Sequence, residues 1–267
     1  MNARAIFAIV RKDLKVASQN KNILIMTIVL TVVFFVVFPW LTALIPLAGD
    51  SITGLAKILS YIPANIQKDF AGLSLTQAMM VYVLKYMLVP FFLMLPLMVA
   101  STIAADSFAG EKERKTMEAL LYTPTTDREL FVAKSLSGWL AAMAVTAVGF
   151  VLYLVMANAA AWPQMQHIIL PDGMWLVLVL WAAPAVAGMG VGAMVLASSR
   201  AQGFQDASQL GGLVVLPVIA LFYIQVAGVL FFDIIVVILM GFVMWLLAGL
   251  LIWLGSRTFQ RGRLLGA

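Results

Sequence analysis

DSFAGEKERKTMEALLYTPTTDRELFVAK, residues 106–134, is a polar stretch between long apolar segments, and it decides how the rest of the chain is arranged. It carries six acidic and five basic side chains of the 29 that the chain contains. The segments on either side of it are almost free of charge. We therefore expect the apolar segments to face lipid or each other, and this stretch to face a soluble partner.

The composition indicates an integral membrane protein. Of the 267 residues, 63% are hydrophobic and 11% are charged, and the mean hydropathy is +1.03. A soluble domain is about half apolar and about a quarter charged. We predict an all-α membrane protein with a single transmembrane domain over residues 1–267. The absence of cysteine excludes disulfides and thiolate metal sites. We attribute the net charge of +5 to membrane topology and expect no nucleic-acid partner.

Six apolar runs reach the roughly 20 residues that a helix needs to cross a bilayer. They are predicted at Asn22–Gly49, Tyr86–Ala105, Ser135 to about Ala157, Gly173–Ser199, Ala207–Phe232 and Ile234–Ser256. Asn158, Pro163 and His167 suggest that a loop follows the third span. Only Asp233 separates the last two spans, which predicts a tight hairpin.

The basic residues predict the orientation. Six spans place both termini on one side of the membrane, and that side carries 14 of the 17 Lys and Arg residues. The other side carries Lys57, Lys68 and Lys85. By the positive-inside rule, the termini and residues 106–134 are cytoplasmic.

Residues 3–20 have the pattern of a basic amphipathic helix. One face carries apolar side chains (Ala3, Ile6, Phe7, Val10, Leu14, Ala17) and the other carries basic ones (Arg4, Arg11, Lys12, Lys15). Such a helix lies in the membrane interface. It anchors the chain, and an additional contact with a cytosolic partner is left open.

Within the polar stretch, a short helix is predicted from Glu111. Glu111 with Lys115 and Arg114 with Glu118 are i,i+4 pairs of opposite charge. A small apolar face lies at helical spacing, formed by Met117, Leu120 and Leu121. The resulting cytosolic helix between spans two and three suits docking to a soluble protein. The alternative, an interfacial helix on lipid, is disfavoured because anionic lipid prefers a basic face.

Two capping boxes predict helix starts. Thr123-Pro124 ends the cytosolic helix, since the residue before proline disfavours the α region. Thr126 with Glu129 then begins the helix that becomes span three. On the other side of the membrane, Ser74 with Gln77 begins a helix that runs into span two.

Prolines and glycines inside the spans predict kinks and close contacts. Pro90 and Pro96 lie in span two, Pro184 in span four and Pro217 in span five. Gly188 and Gly192 have the spacing that lets two helices approach closely. Ordinary helix packing and a hinge or dimer interface are both compatible with this pattern.

The polar stretch resembles the cytosolic loop of ABC-2-type ABC transporter permeases. The matching residues are Gly110, Glu111, Lys112, Glu113, Arg114, Thr116, Met117, Glu118, Leu120, Leu121, Thr123, Pro124, Glu129, Leu130 and Lys134. Many members of that family have glycine where this chain has Lys115. The resemblance extends more loosely to the N-terminal helix with RKDL at residues 11–14, the six spans and the position of the loop.

The resemblance implies half of a membrane dimer that moves a substrate outward across a bacterial or archaeal cytoplasmic membrane. The second permease is the same chain or a related one, and two ATP-binding subunits carry ATP and Mg²⁺. We favour a lipid-like, amphipathic or drug-like substrate. The residues expected to dock on the ATP-binding subunit are Gly110, Glu111, Glu113, Arg114, Lys115, Met117, Glu118, Leu120, Leu121, Thr123 and Pro124.

This chain is not expected to be an enzyme or to bind ATP itself. A P-loop needs glycine followed by lysine, and none of the 19 glycines is followed by lysine. An intramembrane enzyme would need a nucleophile with a base, a carboxylate pair or metal ligands. The single histidine, His167, lies in a predicted external loop. A non-transporting scaffold or sensor subunit with a permease fold is the remaining alternative.

Overall fold

The computed structural model describes residues 2–52, 62–116, 125–201 and 203–258, and the regular elements in these ranges are helices. Helix α1 (Ala3–Gln19) comes first. Six helices of the described residues are long and apolar enough to cross a membrane: α2 (Lys21–Leu47), α3 (Leu75–Glu113), α4 (Asp127–Met165), α5 (Gly173–Ser199), α6 (Phe204–Val226) and α7 (Ile234–Arg257). The predicted all-α fold with six spans is therefore confirmed.

Both capping boxes are present. The Ser74 hydroxyl accepts from the Gln77 backbone N–H while the Gln77 side chain accepts from the Ser74 N–H, and Thr126 and Glu129 form the same reciprocal pair. Helix α3 therefore begins well before the predicted apolar run and reaches 39 residues. The capping residues therefore predicted the first residues of these helices more accurately than the hydropathy did.

The predicted end of the third span near Ala157 is wrong, because α4 continues to Met165. Asn158 does not end the helix. Its amide donates to the Leu170 carbonyl and its oxygen accepts from the Ile169 N–H, each at 2.8 Å. The polar side chain that suggested a loop instead holds the returning chain against the helix.

The connection between the last two spans is longer than predicted. Helix α6 ends at Val226, and residues 227–233 lead to α7. Gly228 has φ +72°, a conformation that glycine adopts without steric cost. A single-residue hairpin at Asp233 is therefore wrong, although the Asp233 carboxylate does cap α7 by accepting from the Val236 N–H at 2.7 Å.

Helices α3 and α5 form the centre of the bundle. In the most apolar 18 residues of each helix, 67% of the residues of α3 and 61% of those of α5 are buried, compared with 12% for α6. Helix α5 packs between α3 and α7. A Cβ at Gly190 would lie 2.9 Å from the Leu97 carbonyl of α3, and one at Gly192 would lie 2.8 Å from the Leu251 Cβ of α7. These glycines serve close packing within the chain.

Three of the prolines are accommodated by local widening of the helices. Within the described part of the chain, four turns have π-helical geometry: Val33–Val37, Tyr82–Met87, Asp106–Gly110 and Leu178–Ala182. Three of them contain the residue four positions before a proline, namely Phe35 before Pro39, Tyr86 before Pro90 and Leu180 before Pro184. A proline ring clashes with that carbonyl in a regular α-helix. The wider π turn relieves the clash.

Side chains from neighbouring helices satisfy carbonyls of the π turn in α3. The Tyr153 hydroxyl donates to the Leu84 carbonyl, and Trp175 Nε1 donates to the Lys85 carbonyl at 3.0 Å. The Tyr153 and Trp175 rings stack with their centroids 4.6 Å apart. Membrane helices tolerate such irregular turns because other groups of the protein replace the lost backbone bonds.

Candidate coupling site

The predicted start of the cytosolic helix at Glu111 is instead part of the end of α3. Helix α3 extends through Glu113, and Lys115 then adopts φ +56°, in the left-handed region. The chain therefore turns at Lys115, the position where many similar permeases have glycine. The other predicted docking residues in this loop, Met117, Glu118, Leu120, Leu121, Thr123 and Pro124, lie outside the described residues.

A buried ionic cluster lies where the loop leaves α3, and Lys134 is at its centre. The Lys134 side chain is 0% exposed. Its ammonium donates to Glu111 Oε2 at 2.5 Å, to the Ser107 carbonyl at 2.6 Å and to Ser107 Oγ at 3.1 Å. The Ser107 carbonyl belongs to the π turn Asp106–Gly110. Lys134 thereby joins the start of α4 to the end of α3.

Asp13 brings α1 into the same cluster. Ser107 Oγ donates to Asp13 Oδ2 at 2.8 Å and Ser137 Oγ donates to it at 3.3 Å. The Lys134 ammonium lies 4.0 Å from the same oxygen. Asp13 is only 5% exposed, and it shares the buried face of α1 with Ile9, Val10 and Ala17. The inner face of α1 is therefore partly ionic, and not purely apolar as the sequence suggested.

Lys12 balances the charge of the cluster. Its ammonium donates to Glu111 Oε1 and lies 2.9 Å from Asp13 Oδ1. Burial opposes the charged form of Lys12, but the bonds with Glu111 and Asp13 outweigh burial and raise the pKa of Lys12. Two cations, Lys12 and Lys134, thus face two anions, Asp13 and Glu111. The group is neutral as a whole, which is what makes its burial tolerable.

Further contacts hold the remaining charged residues at the end of α3. Arg114 Nη1 donates to Asp106 Oδ1 at 2.9 Å, and this hydrogen bond raises the pKa of Arg114. Glu113 Oε2 accepts from the Phe204 N–H at the start of α6 at 2.8 Å. The predicted pairing of Glu111 with Lys115 along one helix is wrong, because Glu111 turns inward to Lys12 and Lys134.

Sequence reasoning missed most of this cluster. Asp13 and Lys134 are 121 positions apart in the chain, so no local periodicity connects them. Two signals were available: Asp13 is an acid within the RKDLK segment of an otherwise basic helix, and Lys134 interrupts the apolar start of α4. Each suggested a surface residue on its own. Only the packing of α1 against α4 brings them together.

A second ionic group lies at the opposite end of α3. Lys85 pairs with Asp69 and with Asp172, the latter at 2.8 Å, and the Tyr86 hydroxyl also donates to Asp69. Burial opposes ionisation of Asp69, but its bonds with Lys85 and Tyr86 outweigh burial and lower the pKa of Asp69. These pairs fasten the segment before α3 and the start of α5 to α3.

Comparison with known protein families identifies the fold that carries this site. A sequence model described as ABC-2 family transporter protein matches residues 7–260, nearly the whole chain. The chain belongs to the ABC-2 transporter family. The comparison with curated proteins gave no match. As an ABC-2 permease the chain is a membrane subunit of an ABC transporter, a class whose ATPase is a separate partner subunit. It is also a multi-pass membrane protein.

The left-handed turn of this ABC-2 permease makes a testable prediction. Replacing Lys115 by glycine is expected to raise the free energy of unfolding by about 1 kcal/mol, because a side chain is strained at positive φ. Chemical unfolding in mixed micelles measures the change. Lys112→Gly, in the preceding helical turn, is the control and is expected to lower stability by about 1 kcal/mol. Equal losses for the two variants would contradict a strained turn at Lys115.

Proposed function

We propose that this permease is the membrane-spanning subunit of an ATP-driven exporter, and that residues 106–134 couple it to an ATP-binding subunit. The observation that carries the proposal is that three other helices contact the end of α3, where the loop begins. The last residues of α3 contact α1 through Lys12 and Asp13, α4 through Lys134, and the start of α6 through Phe204. A displacement of the loop would therefore be passed to three other helices.

The docking surface is assigned to the middle of the loop, where the sequence combines apolar side chains with one acidic side chain. Glu111, Glu113 and Arg114 have partners in α4, α6 and α3, so we withdraw them from direct ion pairing with the ATP-binding subunit. Their proposed role is to hold the loop start in position. The apolar side chains of Met117, Leu120 and Leu121 and the charge of Glu118, which lie outside the described residues, are proposed to contact the partner. Thr123-Pro124 stiffens the return to α4.

ATP and Mg²⁺ are proposed to bind the partner subunit. The chain offers no P-loop, and no group of three or more His, Cys, Asp or Glu residues suited to a metal occurs among the described residues. ATP-driven closure of two such subunits would push on the loop. The termini and the loop would then share the cytoplasmic side, in agreement with the distribution of basic residues.

A second permease, either another copy or a related chain, is proposed to pack on α6. This helix is the least buried of the six within the chain. Its first turns expose polar side chains, namely Gln205 and Gln209. Polar side chains of membrane helices usually face other helices or water and not lipid. A partner on α6 would give them suitable surroundings.

The proposed substrate is amphipathic or lipid-like. A cavity of ≈ 140 Å³ lies between α2, α3, α5 and α6. Its lining combines thioethers with hydroxyls: Met26, Met98 and Met194 with Ser101, Thr102 and Ser208. None of the described residues that line it is charged. This mixture of flexible apolar and neutral polar groups suits a molecule with both kinds of surface better than a bare ion.

Substitution of the apolar loop residues tests the proposed coupling. Leu120→Asp with Leu121→Asp is expected to abolish binding of the ATP-binding subunit, because the carboxylates would be buried in an apolar contact. The tagged permease is purified from its own membranes, and co-purifying chains are labelled with photoactivatable 8-azido-ATP. Loss of the labelled chain is the expected result.

Leu75→Asp is the matched control for this experiment. Leu75 is 40% exposed and begins α3, at the membrane side opposite to the loop. Its substitution introduces one of the two negative charges of the loop variant and should leave the labelled partner in place. If the loop variant retains the partner and its substrate-stimulated ATP hydrolysis, the docking proposal is wrong. The wild type could bind the ATPase and yet neither transport amphipathic substrates nor hydrolyse ATP faster in their presence. That result would favour the scaffold or sensor alternative.

A further inference from the structure

A groove separates the start of α4 from the end of α7. Its volume is ≈ 490 Å³, within the range of about 300–1,000 Å³ that is common for small-molecule sites. The lining residues are Asp127, Arg128, Phe131, Val132, Trp253, Ser256 and Arg257. One side of the groove is therefore apolar and aromatic, while its mouth carries two guanidinium groups and one carboxylate.

The length of α7 places this groove at the level of the lipid headgroups. Helix α7 has 24 residues. At about 1.5 Å per residue it is about 36 Å long, slightly more than the hydrocarbon core of about 30 Å. Arg257, the last residue of α7, must then lie at the membrane surface. Arg128 lines the same groove and therefore lies at a similar depth, although α4 is longer.

The cationic mouth is partly preorganised. The Arg257 guanidinium lies over the Trp253 ring, 3.9 Å from its centroid. This cation–π contact fixes the side chain along the groove instead of leaving it in solution. Trp253 itself is half exposed, and tryptophan is enriched at membrane interfaces. Arg128 on the facing helix and Arg257 are both exposed, so an anion can reach both guanidinium groups.

The lower part of the groove suits an acyl chain. Phe131 is buried and forms its floor, while Val132 is partly exposed beside it. Gly255 packs α7 against α5, since a Cβ there would lie 2.7 Å from Val195 Cγ1, and the same Cβ would lie 4.0 Å from Phe131 Cε2 of the groove. Asp127, the acid at the rim, has an interaction of its own within the chain. The two arginines leave the groove with an excess of positive charge.

From this arrangement we propose that the groove binds one anionic phospholipid, with its phosphate between Arg128 and Arg257 and an acyl chain along Val132 and Trp253. Guanidinium groups form paired hydrogen bonds with phosphate oxygens. A net negative headgroup is selected over a zwitterionic one, since a choline or ethanolamine cation would approach the two arginines. The site does not depend on the transported substrate or on the ATP-binding subunit.

Native mass spectrometry of the full chain in detergent tests the site. Phosphatidylglycerol, phosphatidylcholine and inorganic phosphate are titrated separately into the wild type and into Arg128→Gln with Arg257→Gln. Wild type should retain one phosphatidylglycerol more tightly than phosphatidylcholine. The double variant should bind it about 30-fold more weakly, the effect expected for two basic side chains near an anionic headgroup.

Arg4→Gln with Arg11→Gln is the matched control, because it removes the same charge from exposed positions of α1. This control should keep the tightly bound lipid. An equal loss in both double variants would show diffuse surface attraction and would overturn the site. Equal retention of phosphatidylglycerol and phosphatidylcholine would also overturn it, as would displacement of the lipid by inorganic phosphate at similar concentration.

Discussion

Replacement of Lys134 by methionine is expected to lower the free energy of unfolding by about 3–5 kcal/mol. Lys134 is fully buried and holds Glu111 while facing Asp13 at 4.0 Å. Without its ammonium, two carboxylates would share a buried site with the single charge of Lys12. Methionine has a similar length, so the loss reports charge and hydrogen bonding more than volume. Unfolding of the purified permease in mixed micelles measures the change.

A rescue variant and an exposed control accompany this experiment. Lys134→Met combined with Glu111→Gln restores neutrality, leaving Lys12 with Asp13, and should regain at least half of the lost stability. Lys15→Met removes a positive charge from the exposed face of α1 and should have little effect. If Lys134→Met were no more harmful than Lys15→Met, the cluster would not stabilise the junction of α1, α3 and α4.

Gly192→Ala is expected to destabilise the bundle by about 1–3 kcal/mol, the usual cost of overpacking. The new Cβ would lie 2.8 Å from the Leu251 Cβ and 3.0 Å from the backbone nitrogen of Ile252. Neither atom belongs to a flexible side-chain end, so α5 and α7 must move apart. A lower temperature of thermal unfolding in detergent is the expected readout.

Gly249→Ala provides the reference for this effect. Gly249 lies in α7, and nothing within 4 Å would meet an added Cβ there. Because alanine favours a helix interior by up to about 1 kcal/mol over glycine, this variant should be neutral or more stable. Similar losses in both variants would mean that helix flexibility, and not the close contact of α5 with α7, explains the glycine at position 192.

The fold was largely predictable because membrane crossing imposes a length and an apolar composition that a single sequence displays. Span α5 was predicted from Gly173 to Ser199, as found. The capping boxes at Ser74 and Thr126 added helix starts that depend only on residues three apart. The errors came where a polar side chain had a distant partner. Asn158 resembled a loop residue because its contacts with Ile169 and Leu170 could not be read locally.

The candidate site was only partly predictable for the same reason. The loop pattern located the segment, but charged residues at its start were expected to face a partner protein. The structure turns Glu111 inward, towards Lys12 and Lys134. Pairing of residues on three helices depends on how those helices pack, which charge periodicity does not encode. Lys115 is a second case: lysine in place of the family's usual glycine argued against a tight backbone there, yet Lys115 adopts φ +56°.

The zero net charge of the cluster around Lys134 also affects how it responds to the membrane potential. Moving one elementary charge through a membrane potential requires about 2.3 kcal/mol for each 100 mV. The four side chains Lys12, Asp13, Glu111 and Lys134 sum to zero. If they shift together as a unit, the field does almost no work on them. A joint shift of these side chains at the junction of α1, α3 and α4 would therefore cost nearly the same energy whether the membrane is polarised or not.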